Sequence, residues 1–438
     1  MDLIVRSNVC LNGQISVPGD KSISHRVAII ASLSEGTTFI TGFLEGQDCL
    51  ATLNVMKALG VTIEHVDPQT IKIQGVGLSG LSEPYGPLDC GNAGTLMRLV
   101  AGVLAAQNFT STLVGDESLS KRPMERIILP LRQMGAHITG IQKENKICAP
   151  LTIKGKPLHG IEYTLPVESA QIKSCLLFAG LYAQNKTIIH EKGECRDHTE
   201  RLLRAFGCDI DIEHNRITLT PGTPLKGQSV QIPGDISSAA FFIATASMQK
   251  GAQLLVKNVG INPKRIGLIH ILRQMGANIT FKNHRELNNE SVADIEVRGT
   301  QLKGITVPTQ WAVSAMDEFP IIFIVASCAL GETIISGVSE LRVKESDRLA
   351  VMCQGLKALG ISVNELIDGV VIQGGQLTGG TVDSCGDHRV AMAFAMAGFL
   401  AQDEIIIKDC MNIFTSFPNF CDLASNVGLN IKTIKEKQ

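Results

Sequence analysis

The sequence predicts an α/β protein assembled from six copies of one unit, grouped as two domains of three. Three observations carry this reading. A helix end, a glycine and a strand start recur six times. A strongly apolar helix precedes each recurrence. A near-duplicated segment, SVPGDKS (16–22) and QIPGDIS (231–237), opens each half.

The recurrence reads MKALGVTIE (56–64), LRQMGAHIT (131–139), LRAFGCDID (203–211), LRQMGANIT (272–280), LKALGISVN (356–364) and ASNVGLNIK (424–432). Its glycines, 60, 135, 207, 276, 360 and 428, lie 75, 72, 69, 84 and 68 residues apart. A glycine just past a helix takes the left-handed conformation that closes it, and the alternating residues that follow begin a strand. Upstream of each glycine, a polar loop opens a first helix: DKSISHRVAIIASL, NAGTLMRLVAGVLA, ESAQIKSCLLFAGLY, DISSAAFFIATAS, DEFPIIFIVASCAL and DHRVAMAFAMAGFL. These helices are apolar nearly all round and belong inside. Short strands follow (TTFIT, KTIIH, ETIIS, EIIIK), then second helices that are amphipathic and belong nearer the surface. The duplicated segments read as the two strands crossing between domains. The first domain is then 21–234 and the second 1–20 plus 235–438, with crossovers near 18–21 and 232–235.

Composition narrows the function. Of 438 residues, 44% are hydrophobic and 19% charged, enough to bury a large core. With aromatics at 4% and a net charge of −2 without like-charge blocks, neither nucleic acid nor a membrane surface is expected as partner. The apolar stretches 319–330 and 390–401 are too short or too interrupted to span a bilayer. MDLIVRSNVCLNG has no basic region ahead of an apolar core, so no signal peptide is expected. Twelve cysteines without CxxC, and no HExxH, argue against a metal site and for core thiols in the reducing cytoplasm.

The polar residues sit where local rules disfavour them. A helix N-terminus exposes N–H groups and a positive dipole end. Yet cations recur there: Lys21 and Arg26 with Ser22, Lys121 and Arg122, Arg196, Lys264 and Arg265, Arg342, Lys344 and Arg348, then His388 and Arg389. Lys344 and Arg348 are spaced to repel on one helix face. A multiply charged anionic ligand would resolve this conflict. Asp317, Glu318, Glu345 and Asp347 lie among the cations and suit either acid–base chemistry or simple capping. GVGLSG (75–80) has the glycine spacing of a dinucleotide site, but LSEPYGP after it cannot open the required helix. There is no Walker A lysine motif.

PGDKSISHR (18–26), GNAGTLMR (91–98), KRPM (121–124), ESAQIKS (168–174), MDEFP (316–320), LRVKESDR (341–348) and GDHRVAM (386–392) resemble, in order, the signature segments of the 5-enolpyruvylshikimate-3-phosphate synthase family. SAQ, KRPM and RDHTE are similar to its class II. The resemblance implies a two-domain inside-out α/β barrel of the enolpyruvyl transferase type, three βαβαββ repeats per domain around buried parallel helices, closing on the substrates. It implies transfer of the enolpyruvyl group of phosphoenolpyruvate to shikimate 3-phosphate by a monomer needing no metal or organic cofactor.

The resemblance also implies residue roles. Lys21 lies between both substrates. Ser22 and Arg26 hold the shikimate moiety, Ser169, Ala170, Arg196 and Lys344 belong to the 3-phosphate site, and Gln171 lies against the ring. Gly94, Arg122, Arg348 and Arg389 hold phosphoenolpyruvate together with Gln171 and the catalytic Lys21, with Asn92 supporting the loop and Gly94 leaving room for the inhibitor glyphosate. Asp317 acts as base towards the 5-hydroxyl, and Glu345 relays the proton of the methylene carbon. The types fit, since both substrates carry a phosphate and a carboxylate, which arginine binds in bidentate fashion.

Three positions depart from the common pattern: Leu99 for proline, Ala170 for serine, and Thr415 for a lysine that reaches phosphoenolpyruvate. The neighbouring family, UDP-N-acetylglucosamine enolpyruvyl transferase, carries a reactive cysteine in the loop matching 119–123, and none stands there. A non-catalytic anion-binding protein on the same fold is a third reading, which the presence of both Asp317 and Glu345 argues against.

Overall fold

The computed structural model describes residues 1–6, 9–67, 69–143, 146–193 and 195–434. The chain forms two compact units. One comprises Met1–Pro18, Pro233–Arg285 and Ser291–Gln438, and the other Gly19–Ile232 with Glu286–Glu290. They are called here the terminal and the middle unit.

Each first helix and its partner form as the repeat predicts. The middle unit has α1 (Lys21–Ser32) and α2 (Gln47–Ala58), α3 (Gly94–Leu104) and α4 (Glu125–Gln133), α5 (Ala170–Gly180) and α6 (His198–Ala205). The terminal unit has α7 (Ile236–Met248) and α8 (Gly267–Gln274), α9 (Phe319–Cys328) and α10 (Arg348–Ala358), then α11 (His388–Ala397), with the sixth partner split into α12 (Ile413–Ser416) and α13 (Phe420–Asn426). The six repeat glycines have φ between 85° and 110°, the left-handed region in which a Cβ is strained.

Each unit has its own core. In the middle unit α3 packs on α1 and on α5, and Val27, Ile29, Ile30, Leu96, Leu99, Leu176 and Phe178 are fully buried. In the terminal unit α7, α9 and α11 pack on one another, burying Phe242, Ile322, Ile324 and Phe394. Each such side chain contributes roughly 1.5–3 kcal/mol relative to exposure. Leu99 occupies the interior of α3, where proline would remove a hydrogen bond.

Among the described residues there are six sheets, three in each unit, on one plan. The sheet of the second repeat shows it undisturbed. Leu88–Asp89 runs parallel to Thr110–Val114, which pairs antiparallel with Lys146–Lys154, which pairs antiparallel with His137–Lys143. Three other sheets borrow a strand from far along the chain. Ser229–Gln231 adds to Glu35–Thr41 of the first repeat, Asn12–Ser16 adds to Gln253–Gly260 of the fourth, and Asp2–Arg6 sits between Ile405–Lys408 and Asn430–Ile434 of the sixth. In the fifth repeat the leading strand is reduced to two isolated bridges, Lys303 with Leu330 and Thr306 with Ile334. The repeat is therefore cyclically permuted: a chain whose repeats start on helices must fetch the missing strands from elsewhere, from its N-terminus for the fourth and sixth repeats and from the end of the middle unit for the first.

At the crossing of α3 and α5 a Cβ on Gly102 would run into the backbone carbonyl of Cys175. Gly102→Ala should therefore lower the stability of the folded state by about 1–3 kcal/mol, read as a lower urea midpoint. An unchanged midpoint would mean that the two backbones do not approach this closely.

Candidate active site

In the middle unit the ends of α1, α3 and α5 carry the expected residues. Asp20 caps α1 through a bond from the Ile23 amide (2.9 Å), and Lys21 in its first turn is ion-paired to Asp48 of α2. Arg26, one turn further on, is buried. It donates from Nε to Thr199 Oγ1 (2.7 Å), from Nη2 to Ser174 Oγ (3.0 Å), and from Nη1 to the carbonyl of Ser22 (3.0 Å), tying α1 to α5 and α6.

The α3 end is organised by Asn92. Its Nδ2 donates to Asp116 (2.7 Å) and its Oδ1 accepts from Arg122 (2.8 Å), so the turn before α3 is bonded to the loop before α4. A Cβ on Gly94 would stand 3.0 Å from Arg98 Nη1 and 3.3 Å from Arg122 Nη1. Gln171 of α5 accepts from Arg98 (2.8 Å) and donates to Thr95 (3.0 Å). Lys21, Arg122 and Gln171 are thus each held by protein partners. Ser169 caps α5, with Oγ 3.5 Å from the Ile172 amide. Ala170 begins that helix, and Arg196, half-buried, lies in the loop before α6.

In the terminal unit four expected residues meet. Arg348, the first residue of α10, is 1% exposed. Its Nε donates to Asp387 (2.8 Å) and its Nη2 to Glu345 (2.7 Å), while Nη1 lies 3.7 Å from Asp317. Arg389 donates to the Asp317 carbonyl (3.0 Å), with its Nη2 3.9 Å from the Asp317 carboxylate. Burial opposes the Arg348 charge, but Asp387, Glu345 and Asp317 outweigh it and hold its pKa above the ordinary value. Burial likewise opposes ionisation of Asp387, and Arg348 outweighs it and holds the carboxyl below the usual range. Lys344 lies in extended backbone after a 3₁₀ turn, and the Thr415 hydroxyl donates to its own segment at the Asn412 carbonyl (2.7 Å).

The dipole conflict is answered within the protein, because Asp20, Asp235, Asp347 and Asp387 cap α1, α7, α10 and α11. Lys344 and Arg348 do not share a helix face, since α10 begins only at Arg348. Arg265 is buried on Asp235 (3.2 Å) and Ser237 (2.8 Å). Sequence reasoning missed Asp48, Arg98 and Asp387 as partners, although Arg98 and Asp387 lie inside the GNAGTLMR and GDHRVAM segments. Among the described residues no cluster of His, Cys, Asp and Glu is arranged to hold a metal ion.

A family model described as EPSP synthase (3-phosphoshikimate 1-carboxyvinyltransferase) matches residues 5–423. The chain belongs to the EPSP synthase family. A 3-phosphoshikimate 1-carboxyvinyltransferase of Acidithiobacillus ferrooxidans is 54% identical over 97% of this chain and 98% of its own length, and one of Legionella pneumophila is 51% identical over 99% of each. A solved EPSP synthase from Acinetobacter baumannii superposes with a TM-score of 0.90 at 46% identity, covering 99% of this chain and 100% of its own. These likenesses bear out the two-domain inside-out α/β barrel class. No helix among the described residues is long and apolar enough to cross a membrane.

Behind Lys21, His25 is fully buried, its Nδ1 2.6 Å from Thr52 Oγ1. Burial lowers its pKa from 6.5 to about 3, opposed by Asp48 and helped by Lys21 and Arg26. The folded imidazole stays neutral while the unfolded one takes a proton below pH 6.5, so stability falls as pH drops from 6.5 towards 3. His25→Gln should flatten that fall by up to about 2 kcal/mol between pH 6.5 and 5, measured by urea unfolding at both values. Parallel pH profiles for parent and variant would contradict a neutral buried His25.

Proposed function

We propose that the protein transfers the enolpyruvyl group of phosphoenolpyruvate to the 5-hydroxyl of shikimate 3-phosphate and releases phosphate. The observation that carries this reading is the terminal-unit cluster. Two carboxylates, Asp317 and Glu345, flank the buried Arg348 guanidinium, and Arg389 lies against Asp317. Acid–base groups thus stand at cations suited to an anionic substrate.

Glu345 delivers a proton to the methylene carbon, which makes the adjacent carbon electrophilic. The 5-hydroxyl oxygen adds there while Asp317 takes its proton, giving a tetrahedral intermediate. Return of one methyl proton to Glu345 re-forms the double bond as the carbon–oxygen bond to phosphate breaks. Arg122, Arg348 and Arg389 hold the phosphate and carboxylate of phosphoenolpyruvate, with Asn92 and Gly94 shaping the turn beside Arg122. Ser169, Ala170, Arg196 and Lys344 hold the 3-phosphate, Ser22, Arg26 and Gln171 the shikimate moiety, and Lys21 both substrates. The Asn92–Arg122 bond and the Arg98–Gln171 bond support these assignments by fixing two of the side chains through protein partners. Glyphosate competes with phosphoenolpyruvate in this reading, beside Gly94.

The functional domains are 21–234, and 1–20 with 235–438, a division supported by the compact units. One chain carries both residue sets, so a monomer suffices. A cytoplasmic location is supported by twelve cysteines that are all free thiols, ten of them buried or half-buried.

Phosphate release that requires both substrates together is the decisive assay, and release from phosphoenolpyruvate alone would contradict the reading. Asp317→Ala and Glu345→Ala should each lower turnover about 10²–10⁴-fold with substrate binding largely kept, and parent-like turnover in either would refute its role. Arg196→Ala should weaken shikimate 3-phosphate binding by about tenfold or more, the contribution of one charge-assisted hydrogen bond, and leave phosphoenolpyruvate binding nearly unchanged. Equal losses for the two substrates would remove Arg196 from the 3-phosphate site.

A further inference from the structure

Lys173 is fully buried in α5, one turn beyond Ser169. Its Nζ lies 2.6 Å from Glu191 Oε1 and 2.6 Å from Glu200 Oε1, and both carboxylates are buried too. Burial alone would lower the lysine's pKa, but Glu200 and Glu191 outweigh it and hold it above the ordinary value. One ammonium therefore joins two carboxylates that stand nine residues apart. Glu191 follows the strand Thr187–His190, and Glu200 lies in the first turn of α6. Between them lies the loop with Arg196.

We propose that Lys173 is a positioning residue. It staples both flanks of segment 191–200 to α5 and so sets where Arg196 stands relative to the N-terminus of that helix. This rests on the proposed role of Arg196 at the 3-phosphate.

Three further features hold the same segment. Gly193 lies so close to Glu168, the residue before the Ser169 cap, that a Cβ there would collide with its carboxylate. Cys195 is buried, and burial pushes its thiol up to about 12. Next to the staple, the hydroxyls of Ser174 and Thr199 are 2.6 Å apart and share Arg26. A buried ionic triad is often no more stable than apolar side chains of the same volume. Its distinctive property is geometric: short, directed, charge-assisted bonds fix a loop more narrowly than apolar contact does. That property matters at a site where a displacement of about 1 Å can cost about 10²-fold.

The test compares equilibrium binding of shikimate 3-phosphate with that of shikimate, whose ratio reports the phosphate contact alone. Lys173→Met/Glu191→Leu/Glu200→Leu removes the staple and leaves an apolar core. We expect a urea midpoint at or above that of the parent, a binding ratio lowered about tenfold, the contribution of one charge-assisted hydrogen bond, and an unchanged KM for phosphoenolpyruvate. A folded triple variant with the parental ratio would overturn the proposal. Glu200→Gln, which keeps size and the Glu191 bond, covers the case in which the triple variant does not fold. A partial loss of the ratio is expected, and the parental ratio would again overturn the proposal. Arg196→Ala separates the two layers of the argument. If it keeps the parental ratio, the reading of Arg196 fails and the staple has no function to serve. If it loses the ratio while both staple variants keep it, the staple alone fails.

Discussion

A helix that is apolar on every side must be covered on every side, and the architecture of each unit follows from that constraint. Phe319–Cys328 has no face that water could wet, and α7 and α11 are nearly as apolar. The strands lie in three small sheets per unit, and the amphipathic second helices keep a polar face for solvent. The charged side chains of the first helices lie within two turns of their N-terminal ends. The residues proposed for the site include several that stand at helix ends: Lys21 and Ser22 on α1, Gly94 on α3, Ser169 to Gln171 on α5, and Arg348 and Arg389 on α10 and α11.

Charge at these ends is arranged in layers. Aspartates satisfy the helix N–H groups as caps, and cations stand just inside them. Asp387 does both jobs, accepting from the Arg389 and Val390 amides while holding Arg348. Arg348 in turn holds Glu345 and approaches Asp317. The result is a cluster with a buried Arg348–Asp387 pair at its base and the partly exposed Asp317, Glu345 and Arg389 around it. In the middle unit, hydrogen bonds to Asn92, Gln171 and Thr199 hold Arg122, Arg98 and Arg26.

Much of the fold was legible beforehand because its signals are local. The left-handed glycines, the apolar helices and the short strands each depend on a few neighbouring residues, and all six copies point the same way. The borrowed strands were not legible. Nothing in NGQIS (12–16) or in SVQ (229–231) says which distant partner completes its edge, since hydrogen-bonding edges are alike and pairing depends on where the chain has already gone.

By itself, the sequence determined the six-fold plan, the family and the set of charged residues gathered at helix ends. Tertiary structure decided what each charge faces. Lys344 and Arg348 read as one repulsive helix face, yet α10 begins between them. Lys173 carries no signal in the sequence that sets it apart, and only folding buries it between Glu191 and Glu200. Asp48 and Lys21 are 27 residues apart and meet because the strand Glu35–Thr41 carries the chain back and α2 then runs beside α1 in the same direction. The physical reason is range: backbone conformation responds to adjacent residues, whereas the partner of a charge depends on burial and on distances of a few ångströms between segments far apart in the chain.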